Sequence, residues 1–324
     1  MIVSKGDSTA KFSKIVTVNI EEGALDKRYW ERLDKLTEKR IDLPRDSPQI
    51  KKELTDADCM LVGFGVKTDK TIIDSAPKLK YIGVLATAYD FVDFDYAKRK
   101  GIPVTNVPGY STESVAEFAF AAILEQIREI SKGKIEGRKG NYDFAGFTAT
   151  EIRGKIFGVF GLGRIGTRIA EIAQGFGADV RYWSRTRKPE LEKKGIKYEE
   201  ADALLSKCDF VSLNFALTQE TAKFLNVLRL KKLKRNAIVI NLAPTELVDV
   251  DALEERLKAG DLYYILDHSD DTPADQMKRL SKYKNCIIYP PIAFVSAEAR
   301  IAKEDIFLGN IVAFLNGKSQ NEVN

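Results

Sequence analysis

The stretch KIFGVFGLGRIG, residues 155–166, decides the fold. Ile156, Phe157, Val159 and Phe160 read as a buried strand, and the residues from Thr167 to Phe176 read as an amphipathic helix. Between them Gly161, Gly163 and Gly166 form a GxGxxG. That pattern alone is weak, but between strand and helix each glycine has a task. Gly161 permits a tight turn, Gly163 lets the backbone approach a pyrophosphate, and Gly166 lets helix and strand pack closely. Arg164 and Ile165 belong to the turn where helix N–H groups stay unpaired, which adds partial positive charge.

Outward from this turn the alternation continues. Strand-like runs follow at 179–184, 210–215, 237–243, 262–267 and 286–290, with helical stretches at 201–206 and 250–258. An earlier series precedes it: strands at 15–20, 59–64, 81–86 and 103–107, with helices at 25–36, 70–76 and 94–100. Strand, helix, strand repeated in this way predicts an α/β protein of two Rossmann-like, doubly wound parallel sheets. A long helix begins near Ser111 or Thr112 after the turn Pro108-Gly109-Tyr110, and residues 133–150 read as a surface connection. The last helical stretch, 296–316, follows Pro290-Pro291 and is expected to return to the first unit.

With 324 residues, 44% hydrophobic and 30% charged, the chain has apolar surface enough for two cores, which excludes a collagen-like or disordered polymer. A net charge of +4, spread along both halves in short runs such as 231–235, argues against nucleic acid as a partner. No apolar run is long enough to span a membrane, and Cys59, Cys208 and Cys286 are too scattered for a disulfide framework or a metal cluster. A cytoplasmic protein acting on a small molecule is the expectation.

A site selecting NAD carries an Asp or Glu at the end of the second strand, about 20 residues after the glycines, for the ribose 2′-hydroxyl. Here the place reads Ser184-Arg185-Thr186-Arg187-Lys188. Two guanidiniums, an ammonium and two hydroxyls suit a 2′-phosphate, so NADP(H) is predicted over NAD(H).

The stretches APKLKYIG (76–83), YDFVDFDYAKRKGIPVTNVPGYSTESVAE (89–117), GKIFGVFGLGRIG (154–166), LTQETAKFLN (217–226), NLAPTELVD (241–249) and ALEERLKAGDL (252–262) make nearly the whole chain resemble the D-isomer-specific 2-hydroxyacid dehydrogenase family, which includes glyoxylate/hydroxypyruvate reductases. The resemblance implies a flavodoxin-like substrate domain of residues 1–106 completed by 292–324, a dinucleotide domain of 107–291, and an active site in the cleft between them. It also implies cofactor contacts at Ala243 and Asp267, and a homodimer formed through the helix starting near Thr112.

That family's chemistry uses an Arg on the substrate, and a His oriented by a Glu to protonate the developing alkoxide. At the matching positions this chain has Pro244, Pro291 and Thr272, and its substrate loop LATAYD (85–90) carries Ala86 and Ala88 where glycines are usual. Three readings follow. His268, the one histidine, sits at a strand end near Asp270 and Asp271, and a neighbouring carboxylate would lift its pKa, so His268 and Asp270 could rebuild the acid. Tyr89, Tyr110 and Tyr289 could add hydroxyls. Alternatively the chain binds NADP(H) without turnover, as a sensor or partner protein. In the third reading it reduces a neutral carbonyl or an imine in a cleft lined by Pro244, Tyr289 and Phe294.

Overall fold

The structure, a computed structural model, describes residues 10–269 and 272–324. Asp270 and Asp271 therefore lie outside the described residues. The chain divides into two compact units, one running to Ser111 and resuming at Ser296–Asn324, the other spanning Thr112–Val295.

The first unit alternates β1 (Ile15–Val18), α1 (Lys27–Asp34), β2 (Arg40–Leu43), α2 (Ile50–Leu54), β3 (Cys59–Val62), α3 (Lys70–Asp74), β4 (Tyr81–Val84), α4 (Phe94–Arg99) and β5 (Val104–Thr105). All five strands are parallel, in the order β2-β1-β3-β4-β5. Helix starts are set by side-chain caps: Asp69 accepts the N–H groups of Thr71 and Ile72, and Asp93 that of Tyr96. Both faces of the sheet are covered, so consecutive strand residues enter different cores. Val16, Met60 and Ile82 face one core, and Ile15, Cys59, Leu61 and Tyr81 face the other.

The second unit holds α5 (Thr112–Ile127), α6 (Ile130–Arg138), β6 (Ile156–Phe160), α7 (Arg164–Gly175), β7 (Asp179–Trp183), α8 (Pro189–Glu192), β8 (Lys197–Tyr198), α9 (Ala201–Leu205), β9 (Phe210–Leu213), α10 (Val227–Lys232), β10 (Ala237–Asn241), α11 (Val250–Lys258), β11 (Leu262–Leu266), α12 (Ala274–Leu280) and β12 (Cys286–Ile288). Its seven strands are parallel, in the order β12-β11-β10-β9-β6-β7-β8. The chain builds outward from β6 to one side, then returns to β9 and builds the other way. The ends of β6 and β9 therefore form the switch point where such sheets bind ligands.

The final helix, α13 (Ala297–Leu315), is capped by Ser296 and groups with the first unit. Phe307, Leu308 and Ile311 are buried among Ile15, Leu33, Leu61 and Tyr81. The structure corrects other expectations. The stretch 133–150 is helical over its first part, in α6, and strands end one or two residues before their apolar runs do. Helix α7 starts at Arg164 rather than Thr167, because Gly163 already serves as its N-cap. Among the described residues no helix is long and apolar enough to cross a membrane.

Leu308→Ala should cost about 2–5 kcal/mol, as for other fully buried leucines. Urea titration followed by amide exchange should show protection lost in β1, β3 and β4 while β6 and β10 keep theirs. Loss shared equally by both sheets would contradict the assignment of α13 to the first unit.

Candidate active site

The turn after β6 is built from absent side chains. At Gly161, φ is +92°, a conformation that disfavours any β-carbon, and a Cβ there would stand 2.7 Å from the Asn214 carbonyl oxygen at the end of β9. A Cβ on Gly166 would come within 1.9 Å of the Gly161 oxygen. Gly163 differs, since a Cβ there would meet nothing within 4 Å. Gly161 and Gly166 close the protein on itself, and Gly163 leaves room for something else. Beside that opening is a cavity of about 600 Å³ lined in part by Gly163, Arg164, Thr167, Arg168 and Lys188. Arg168 is spent on Glu113 and Glu171, at 2.7 and 3.2 Å, whereas Arg164 and Lys188 have no ion-pair partner among the described residues. A helix N-terminus, an open glycine and two unpaired cations fit the diphosphate of a dinucleotide.

At the end of β7 the predicted 2′-phosphate residues part company. Arg187 grips Glu192 through two bonds of 3.0 and 2.6 Å and lies over the Tyr198 ring at 4.7 Å, so its guanidinium braces the loop. Glu192 in turn raises the Arg187 pKa. Arg185 is 86% exposed and only loosely opposite Glu220, at 3.7 Å. Ser184 donates its hydroxyl to the Thr186 carbonyl, which tightens the turn that carries Arg185. Lys188, which the sequence reading groups with the 2′-phosphate residues, instead lines the cavity at the start of α7, where its backbone N–H donates to the buried Tyr182 hydroxyl.

The turns following β10, β11 and β12 meet at one end of the sheet. Asn241, fully buried, donates to the Tyr264 hydroxyl and the Pro244 carbonyl and accepts the Ala243 N–H, which fixes the turn carrying Pro244. Thr245 and Thr272 share a hydroxyl–hydroxyl bond of 2.6 Å, and Thr272 donates to the His268 carbonyl, so Thr245 must be the donor within the pair. Asp267, buried beside His268, accepts the Ala293 N–H at 3.0 Å and so ties the turn carrying Pro291 to the end of β11. The structure thus gathers Pro244, Asp267, His268, Thr272 and Pro291 at the strand ends, while Asp270 lies outside the described residues.

Of the three tyrosines, Tyr289 has its hydroxyl committed to another element. Tyr289 donates to Glu125 on α5, and burial first, then that carboxylate, pushes its pKa up to about 12. Tyr89 packs edge-on against Phe94, and burial raises the pKa of Tyr110.

Residues 120–293 match the profile described as D-isomer specific 2-hydroxyacid dehydrogenase, NAD binding domain. The chain is 36% identical over 276 residues to a glyoxylate reductase of Thermococcus litoralis, covering 82% of this chain and 83% of that protein. A D-lactate dehydrogenase from Aquifex aeolicus complexed with NAD and lactic acid superposes with a TM-score of 0.81 at 28% identity, over 94% of this chain and 96% of that one. An acyclic imino acid reductase in complex with NADPH and D-Arg superposes with a TM-score of 0.82 at 27% identity, over 96% of this chain and all of that one.

Gly166→Ala should destabilise the chain by at least about 3 kcal/mol through forced overpacking, while Gly163→Ala should cost about 1 kcal/mol or less. Urea titration of the two variants checks this. Equal losses would mean that the open space at Gly163 does not distinguish it from its neighbours.

Proposed function

The chain belongs to the D-isomer-specific 2-hydroxyacid dehydrogenase family of oxidoreductases, and from that premise we propose that it transfers a hydride between NADP(H) and a small C=O or C=N compound through an altered reaction site. The observation that carries this reading is the intact cradle after β6, open at Gly163 and flanked by Arg164 and Lys188. When bound, the nicotinamide cofactor would supply the hydride. Gly163 and the first N–H groups of α7, at Arg164, Ile165 and Gly166, would hold its diphosphate. Arg185, with the Thr186 hydroxyl, would hold the 2′-phosphate, and Ser184 and Arg187 would keep that loop in shape. Ala243 and Asp267 would face the nicotinamide end.

For a carbonyl substrate a proton must reach the new alkoxide. We assign that step to the His268 imidazole, partnered by Asp270, because neither Pro244 nor Pro291 can donate. A protonated imine needs no such donor: it carries its proton on nitrogen, accepts hydride at carbon and leaves as an amine. The loss of acid and guanidinium together, and the likeness to the imino acid reductase bound to NADPH, favour this as a second reading. The remaining alternative is a cofactor-binding sensor or partner protein without turnover. We also propose a homodimer, supported by Ile130, Ile135, Tyr142 and Phe144, all exposed on and after α6, and a cytoplasmic location, supported by three buried, unbridged cysteines.

Arg185→Asp should weaken NADPH at least about tenfold more than NADH, the scale of one lost charge-assisted contact, read by quenching of tryptophan fluorescence, to which Trp183 beside the loop contributes. Equal loss of both would remove the 2′-phosphate assignment.

NADPH consumption should be followed with pyruvate and glyoxylate, each with and without methylamine. Turnover of the keto acid alone that is abolished in His268→Ala supports the rebuilt acid. Turnover only with the amine, and indifferent to His268, supports the imine reading. Tight NADPH binding with no turnover under any condition would favour the sensor.

A further inference from the structure

Helix α13 runs back along the first sheet, and contacts along it fix the height of each turn. The Phe314 ring lies 4.7 Å from that of Tyr81, the first residue of β4. About one turn earlier, Asn310 is 1% exposed and its Nδ2 donates to the Asn106 carbonyl at 2.8 Å. Asn106 directly follows β5, where Thr105 is paired with Gly83, so it stands level with Val84 at the end of β4. From Phe314 back to Asn310 the helix therefore passes from the start of β4 to its carboxyl end, antiparallel to the strands. Ile306 and Phe307 accordingly pack in one cluster with Leu85 and Val107, the residues that follow β4 and β5. Lys303 comes seven residues before Asn310, almost two whole turns. It leaves the helix within about 20° of the direction taken by Asn310 and about 10 Å further on. Asn310 faces the end of the sheet, and Lys303 faces the space just beyond it.

No carboxylate answers the Lys303 ammonium there. Arg300 pairs with Glu304 at 3.2 Å, Glu304 also accepts the Asp26 N–H at 2.8 Å, and Asp305 accepts the Tyr29 hydroxyl at 2.8 Å. Lys303 is half-buried, yet among the described residues it makes neither a hydrogen bond nor an ion pair. Burial lowers its pKa, and Glu304 offsets only part of that. Lys14 shows how this chain treats a structural lysine: buried at the start of β1, it holds Glu53 at 2.9 Å and Asp56 at 2.6 Å. A charge drawn partly out of water with no partner weakens the fold, which marks it as a binding group. It stands past the carboxyl ends of parallel strands, where open α/β sheets take their ligands.

We propose that Lys303 is a specificity-determining residue whose ammonium holds a carboxylate of the carbonyl or imine substrate, so that the first unit supplies the positive charge that Pro244 cannot. Calling the bound anion a substrate rests on the oxidoreductase reading above; the anion site itself does not.

The test uses the full chain with NADPH present and oxalate, a small dicarboxylate, as the probe. Lysines are acetylated briefly with acetic anhydride, and the extent at each is read by mass spectrometry. Near-saturating oxalate should slow acetylation of Lys303 about tenfold, as expected when about nine sites in ten are filled, and leave the exposed Lys318 of the same unit unchanged. A Lys303 slowed no more than Lys318 would overturn the anchor, and so would a Lys303 that stays unreactive without oxalate. Lys303→Met keeps the length and loses the charge, whereas Lys303→Arg keeps the charge. By calorimetry the Met variant should bind oxalate about tenfold more weakly and the Arg variant within a few fold of the parent, the scale of one charge-assisted contact. Equal affinity in all three would also overturn the anchor. Should the Met variant fail to fold, acetylation of the parent protein still decides. The glyoxylate KM should rise about tenfold in the Met variant at constant kcat and NADPH affinity. An unchanged KM beside weakened oxalate binding would overturn the substrate role alone. Protection by oxalate in a protein that turns over no substrate would leave the anion site standing and count against the oxidoreductase reading.

Discussion

The second unit is organised by a distance that no side chain could tolerate. Gly166 lies so close to the Gly161 carbonyl, and Gly161 to the end of β9, that any β-carbon at either place would force the turn apart. Because both are bare, α7 begins directly against the point where the sheet reverses its direction of growth. The unpaired N–H groups of its first turn then sit at the carboxyl ends of β6 and β9, with open space at Gly163. The glycine spacing, the strand order and the cavity are consequences of this one approach.

At the strand ends next door the chemistry changes character. The resemblance to the family places Arg, Glu and His where this chain has Pro244, Thr272 and Pro291. Burying one member of an ion pair without the other costs several kcal/mol, so such groups are retained or lost together. Here a neutral bond between Thr245 and Thr272 occupies the buried position, and Thr272 spends its own proton on the His268 carbonyl. Neither of these two hydroxyls carries a charge that needs a partner. Asp267, whose carboxylate is tied to the Ala293 N–H, is the acidic group that remains buried there.

The sequence displayed much of this and concealed the rest for physical reasons. Buried parallel strands are continuous apolar runs, so β1, β3, β4, β6, β9, β10 and β11 were visible, but apolar turn residues such as Ile20, Phe64 and Leu85 blurred their ends. The edge strands β2 and β8 are half-buried or only two residues long and have no such signature. Helix α6 buries none of its residues and contains two glycines, so no stripe announces it. The cofactor turn was legible because its demands are local to six residues. The commitment of Arg187 to Glu192 and the place of Lys188 on the cavity depend on partners brought together only by folding.

The return of α13 to the first sheet has a consequence for how the molecule is made. The second unit is one uninterrupted stretch, whereas the first lacks Phe307, Leu308 and Ile311 until the residues that follow the second unit exist. On a ribosome, where domains usually mature in the order they emerge, the order here is inverted: residues 112–295 can complete their core while the earlier sheet still waits with one apolar face only partly covered. A nascent chain paused anywhere before residue 307 would leave Ile15, Leu61 and Tyr81 with only the cover that Phe12, Leu25, Tyr29 and Leu33 give them.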